Sequence, residues 1–270
     1  MTLSDASILK WHAFQTAEFH EIVDRHHTTS WATMTSTPSN PDHYMGNCIY
    51  VDASVAPPAS AELDALEAIQ RQHDSRVVYQ FIRSEHVPST HAMTWQALLA
   101  ARGLEIEVTP AWLLSVDLAT LPVHTPTRHV TRVLNTIDDI MTADGDASPH
   151  TTEAWYRHLR QRQLGQGPTY GCFVGSMDAA TDHAVGLVSL HAASGTTAIV
   201  NWCGVHAGFR RQGHGESALV RALEYARDVC GCRHVLLTAV EEGPIRLYKH
   251  VGFQVVDQGD EIQALAPLKP

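Results

Sequence analysis

The hexapeptide RRQGHG, Arg210–Gly215, constrains the fold more than any other feature, because it joins an apolar, β-branched run ending at Val205 to a long amphipathic one. Glycines at 213 and 215 let the chain turn tightly and let another group approach the backbone. Downstream, Ala218, Leu219, Ala222, Leu223, Ala226, Val229 and Cys230 recur at spacings of three and four. That periodicity predicts one helical face over Gly213–Gly231, with Gly231 as the stop. A strand, a glycine turn and a helix in that order place the amino terminus of the helix at the turn. Several backbone N–H groups there lack partners and a partial positive charge gathers, which suits a phosphate. Arg210 and Arg211 can add charge-assisted hydrogen bonds to the same oxygens.

Spacing separates the phosphate-binding patterns. A Walker loop closes on G-K-[ST], whereas Gly215 is followed by Glu216. Gly213, Gly215 and Ala218 satisfy G-x-G-x-x-A, but only 55 residues follow Gly215, too few for the two βαβ halves that such a fingerprint opens. The remaining pattern is R-x-x-G-x-G, from Arg210 to Gly215, after a strand that ends at Val205-His206.

That pattern resembles the coenzyme A site of the GNAT family of acyl-CoA-dependent N-acyltransferases. LYKHVGF, Leu247–Phe253, is similar to the family's closing motif at the usual distance downstream. The resemblance implies an α/β (α+β) fold, a mixed and largely antiparallel sheet flanked by helices, with acetyl-CoA or another acyl-CoA as co-substrate and no metal. It implies a diphosphate cradle from Arg210, Arg211, Gln212, Gly213, His214, Gly215 and Glu216. The pantetheine arm would lie along Cys203, Gly204 and Val205, where two strands part at a bulge, with Gly204 the expected bulge residue. Tyr248 would meet the coenzyme near its sulfur and act as general acid. The base stays open among His191, His206, Glu241, Glu242 and a water chain, with Glu241 and His206 the candidates carried forward. Glu241 stands where the family often has Asn, and Ala207 where it commonly has Pro.

Around this site the chain is organised in two parts. At 270 residues it can bury two cores, and LPVHTPTRH, Leu121–His129, reads as a linker, giving domains 1–124 and 125–270. In the second, strands are expected over Arg128–Leu134, Tyr170–Ser176, Ala184–His191, Thr197–Val205 and His234–Val240. Helices are expected over Thr151–Leu164, capped by Thr151 or Thr152, and over Pro244–Val251. TWQALLAARGLEIEV in the first half echoes GPIRLYKHVGFQVV in the second, each a helix, a glycine and a strand. Leu99 falls where Tyr248 does, and no R-x-x-G-x-G precedes residue 125. The first half then resembles a degenerate GNAT-like copy that shapes the substrate cleft.

A formal charge of −10 argues against a nucleic-acid partner and for a cationic small-molecule amine or peptide amino terminus as acceptor. No apolar run approaches the roughly 18 residues of a membrane span. MTLSDASILKWH lacks the pattern of a secretory signal, and five cysteines without paired spacing fit a reducing, cytoplasmic setting. A homodimer is compatible with this reading. The alternative function is a non-catalytic acyl-CoA-binding sensor or regulatory module.

Overall fold

The computed structural model describes residues 22–86, 89–122, 127–194 and 196–267. The expected domain break at 124/125 and the amino-terminal segment MTLSDASILKWH lie outside the described residues. The chain forms two units that divide it differently: one runs to Trp112 and resumes at Val256, the other spans Leu113–Val255.

In the first unit, β1 (Arg25–Thr28), β2 (Ala32–Ser36), β3 (Ile49–Val51) and β4 (Val78–Ser84) share a sheet with β11 (Gln254–Leu265). β3 and β4 are parallel, joined through helix α1 (Ser60–Gln72); β11 runs antiparallel to β4, from Gly259 opposite Ser84 to Leu265 opposite Val78. The alternation of β4 and β11 puts Tyr79, Phe81, Ile262 and Ala264 into one core with Leu63 of α1 and with Trp95 and Leu99 of α2 (Ala92–Ala101). Trp31 and Trp95 meet there with ring centroids 5.5 Å apart. The last strand belongs to the first core because its apolar residues complete that core.

The expected echo has a structural counterpart. Helix α2 ends at Gly103 (φ +84°) and leads into β5 (Glu105–Asp117); helix α6 (Glu242–Val251) ends at Gly252 (φ +112°) and leads into β11.

In the second unit the sheet order is β10-β9-β8-β7-β6, comprising β6 (Thr131–Val133), β7 (Gly171–Met177), β8 (Ala184–Ser194), β9 (Thr197–Val205) and β10 (His234–Ala239). Neighbours are antiparallel except β9 and β10, which are parallel. The polar stretch after β6 contains a helix that the sequence pattern did not announce, α3 (Ile137–Asp144). Thr136 caps it by accepting from the Asp139 N–H at 3.2 Å. α4 (Ala154–Gly165) starts after Glu153, without a side-chain cap from Thr151 or Thr152; the Thr151 hydroxyl instead donates to the Ser148 carbonyl at 3.0 Å. α5 (His214–Asp228) buries Ala218, Leu219, Ala222, Leu223 and Ala226 of the face that the periodicity predicted, but it ends before Cys230 and before Val229, which is exposed.

Candidate active site

The site begins where β9 and β10 part. Their parallel register covers only Thr197–Ile199 against His234–Leu236, while β9 continues to Val205 paired on its other side with β8. Along Asn201–Val205, alternate backbone N–H and C=O groups are therefore free of a β10 partner, and these residues are only partly buried. A bulge helps to open the gap: Ser189 pairs with Trp202 and Leu190 with Val200, which leaves Asn201 as the extra residue. The bulge is thus at Asn201, a correction to the expected Gly204, which pairs regularly with Leu187. Gly204 answers to packing instead, since a Cβ there would lie 2.9 Å from Trp202 Nε1 and 3.0 Å from Ala147 Cβ.

Beyond Val205 the chain makes a short 3-10 turn, Ala207–Phe209, and then a loop with two left-handed residues, Arg211 (φ +63°) and Gly213 (φ +97°). The second is free for glycine; the first costs a side chain about 1 kcal/mol. Gly213 caps α5, and the first helical bond runs from the Ser217 N–H to the Gly213 carbonyl at 3.0 Å. The N–H groups of His214, Gly215 and Glu216 open the helix with no backbone acceptor among the described residues. Gly215 is needed for closeness, because a Cβ would meet Val205 Cγ2 at 3.3 Å and Leu247 Cδ2 at 3.4 Å.

The side chains of the loop divide by task. Arg210 Nε donates to the Val205 carbonyl at 3.0 Å, tying the loop to the strand end. Gln212 Nε2 donates to Gly208 O at 3.0 Å, and Gln212 O accepts from His129 Nε2 at 2.9 Å. Arg211 is exposed. His214 contributes its N–H, but its ring turns inward: Nδ1 lies 2.9 Å from Ser176 Oγ and the ring stacks on His129 at 3.7 Å. Burial, and then His129, hold its imidazole below the usual range. The Glu216 carboxylate lies 3.3 Å from His250 Nε2.

Tyr248 is carried by α6 and is buried, packing edge-on against Phe253 at 6.1 Å. Its hydroxyl faces the Cys203 thiol on β9. Burial and Cys203 raise the tyrosine well above its ordinary value, and burial pushes the thiol up to about 11. Both keep their protons at neutral pH. No sequence signal pairs Tyr248 with Cys203 or places the bulge at Asn201.

The base candidates fare differently. His206 Nε2 is 3.1 Å from the Ala143 carbonyl, which can only accept, so that nitrogen carries the proton. Its Nδ1 is 3.9 Å from Asp146 Oδ1. The ring is therefore tied to the end of α3. Glu241 is exposed at the amino end of α6 and makes no side-chain cap, and Glu242 is exposed in the first turn. His191 pairs with Ile199 near the other end of β9, away from the loop. Among the described residues no three His, Cys, Asp or Glu side chains converge as a metal site, and no helix is long and apolar enough to cross a membrane.

The geometry fits a diphosphate at the loop: N–H groups without a backbone partner among the described residues, a left-handed glycine at 213 and a closely packed one at 215, an exposed arginine and a strand edge that can accept an extended arm. Comparison with known proteins points the same way. Residues 134–253 match the model of the Acetyltransferase (GNAT) family. In fold the chain is similar to a GCN5-related N-acetyltransferase from Kribbella flavida, at TM-score 0.69 and 18% identity over 96% of each chain. It is also similar to a tandem GNAT protein from the clavulanic acid biosynthesis pathway, at TM-score 0.58 and 14% identity, covering 100% of this chain and 98% of that one. A functionally unknown conserved protein from Staphylococcus epidermidis aligns at TM-score 0.63 and 15% identity, over 93% of this chain and 96% of that one. No curated protein matches the sequence.

Proposed function

Since residues 134–253 belong to the acetyltransferase (GNAT) family, we propose that the protein is an acyl-CoA-dependent N-acyltransferase that moves acetyl from acetyl-CoA to a primary amine of a small molecule or peptide. The observation that carries this reading is one stretch of β9: it loses β10 after Ile199, meets the Tyr248 hydroxyl at Cys203, and runs into the α5 amino terminus after Val205. Acetyl-CoA supplies an activated thioester carbonyl. The chain binds, orients and moves protons around it.

The N–H groups of His214, Gly215 and Glu216, with those of Arg211, Gln212 and Gly213, hold the diphosphate, and Arg211 adds charge from solvent. The free edge of Asn201–Val205 orients the pantetheine amides and offers N–H groups to charge developing on the carbonyl oxygen. Tyr248 protonates the departing thiolate. The dry surroundings that raise the tyrosine also raise a thiolate beside it, so burial alone does not set the two apart. His206 is committed to Ala143. Glu241, exposed at the amino end of α6 and making no side-chain cap there, takes the proton of the attacking amine by way of water. The first unit, with Leu99 at the place of Tyr248, is a degenerate copy.

Thiol release from acetyl-CoA across a panel of amines tests this reading. Turnover with at least one amine, lowered about 100-fold or more in Tyr248→Phe with coenzyme binding retained, is the expected result. Coenzyme binding without turnover on any amine would replace the enzyme with an acyl-CoA sensor.

A further inference from the structure

A cavity of about 340 Å3 lies in the second unit at the far end of the strands from the phosphate loop. One of its lining residues, His191, pairs with Ile199, six residues before Val205, where the loop begins. At about 3.3 Å per residue the separation is about 20 Å. Leu134, Leu164, Phe173 and Leu190 make its apolar wall. Its volume suits a single-ring ligand.

Three buried polar side chains interrupt this wall. Gln163 is 4% exposed, and its Oε1 accepts from Arg160 Nη1 at 3.0 Å. A guanidinium only donates, so the amide orientation is fixed and Nε2 turns away from Arg160 with no partner among the described residues. Ser189 Oγ accepts from the same Nη1 at 3.2 Å, which leaves its O–H to donate. His191 is 2% exposed, stacks on Tyr170 with ring centroids 5.3 Å apart and 7° between planes, and has no partner on either ring nitrogen among the described residues. Burial, and then Arg160, push its pKa down to about 4, so it is neutral and offers one donor and one acceptor. Arg160 is itself paired with Asp144 at 3.3 Å.

Polar groups buried beside a cavity without partners are costly unless something in the cavity answers them. The requirement is specific: an acceptor for the Gln163 amide and the Ser189 hydroxyl, a donor for the bare nitrogen of His191, no net charge, and a flat body beside stacked rings. We propose that this cavity is a second small-molecule site, separate from the phosphate loop, that binds an uncharged, planar primary carboxamide. Its carbonyl accepts from Gln163 and its amide N–H donates to His191.

The test uses the full-length protein and benzamide as probe, with benzoate and benzylamine as charged counterparts of the same shape, followed by calorimetric titration and thermal melting. Saturable benzamide binding is expected, at least about tenfold tighter than that of either charged analogue. Gln163→Glu, which keeps the acceptor for Arg160 but loses the amide donors, and His191→Phe, which keeps the ring, should each weaken benzamide at least about tenfold. Coenzyme A affinity should be unchanged in both. Absence of saturable benzamide binding up to millimolar concentration, equal affinity for the charged analogues, or undiminished binding in both variants would overturn the proposal. The wild-type ligand panel decides even if a variant does not fold, and none of these outcomes depends on acetyl transfer.

Discussion

Single residues in this protein are set by what surrounds them more than by their type. His191, Cys203, His206 and His214 could each be taken for reactive groups; burial or a fixed hydrogen bond commits most of them to structure. His191 makes this measurable. Its folded pKa lies at about 4, below the ordinary imidazole value, so below pH 6.5 the unfolded chain takes up a proton that the folded one refuses. The resulting stability is present above pH 6.5 and is lost as the pH falls towards 4. Urea unfolding of the wild type against His191→Phe should show the wild type losing about 2 kcal/mol more between pH 7 and pH 5. Equal losses would show that the ring is not held neutral. At Tyr248 the expectation is kinetic: phenylalanine keeps the packing on Phe253 and removes the proton, so kcat falls and coenzyme affinity does not.

At the scale of elements, the parts with a strong local signal were legible in the sequence. The α5 periodicity and the glycines before it are local, and the helix starts at His214 as they require. The strands of the second unit were legible for the same reason, each being a β-branched run between turns. The bulge at Asn201 was not, because it arises from a mismatch of register between β8 and β9 and no residue type there demands it. The α3 helix was hidden in a polar stretch whose one cue is Thr136 three residues before Asp139. Thr136→Ala should cost about 1 kcal/mol of stability in denaturant titration. A change below a few tenths would show that the cap contributes little. Gly215→Val is the sharper probe: its side chain would press on Val205 and Leu247, and overpacking of this kind costs about 1–3 kcal/mol while blocking approach to the loop.

For the whole molecule, the unit to which a strand belongs depends on which core its apolar residues complete. Residues Val256–Leu265 follow the closing motif of the second unit yet pack Ile262 and Ala264 into the first core. Ile262→Ala should therefore destabilise the first unit by about 2–5 kcal/mol, seen as loss of hydrogen-exchange protection in β4. Protection lost only within 113–255 would contradict that assignment. The central claim is that the amides opening α5 grip a diphosphate beside the free edge of β9. Calorimetric titration of coenzyme A and of pantetheine, which lacks the diphosphate, tests it most directly in the wild-type protein. Coenzyme A should bind at least about 100-fold more tightly, and a folded Gly213→Val/Gly215→Val variant should bring it down to the level of pantetheine. Equal affinities of the two ligands for the wild-type protein would contradict the account.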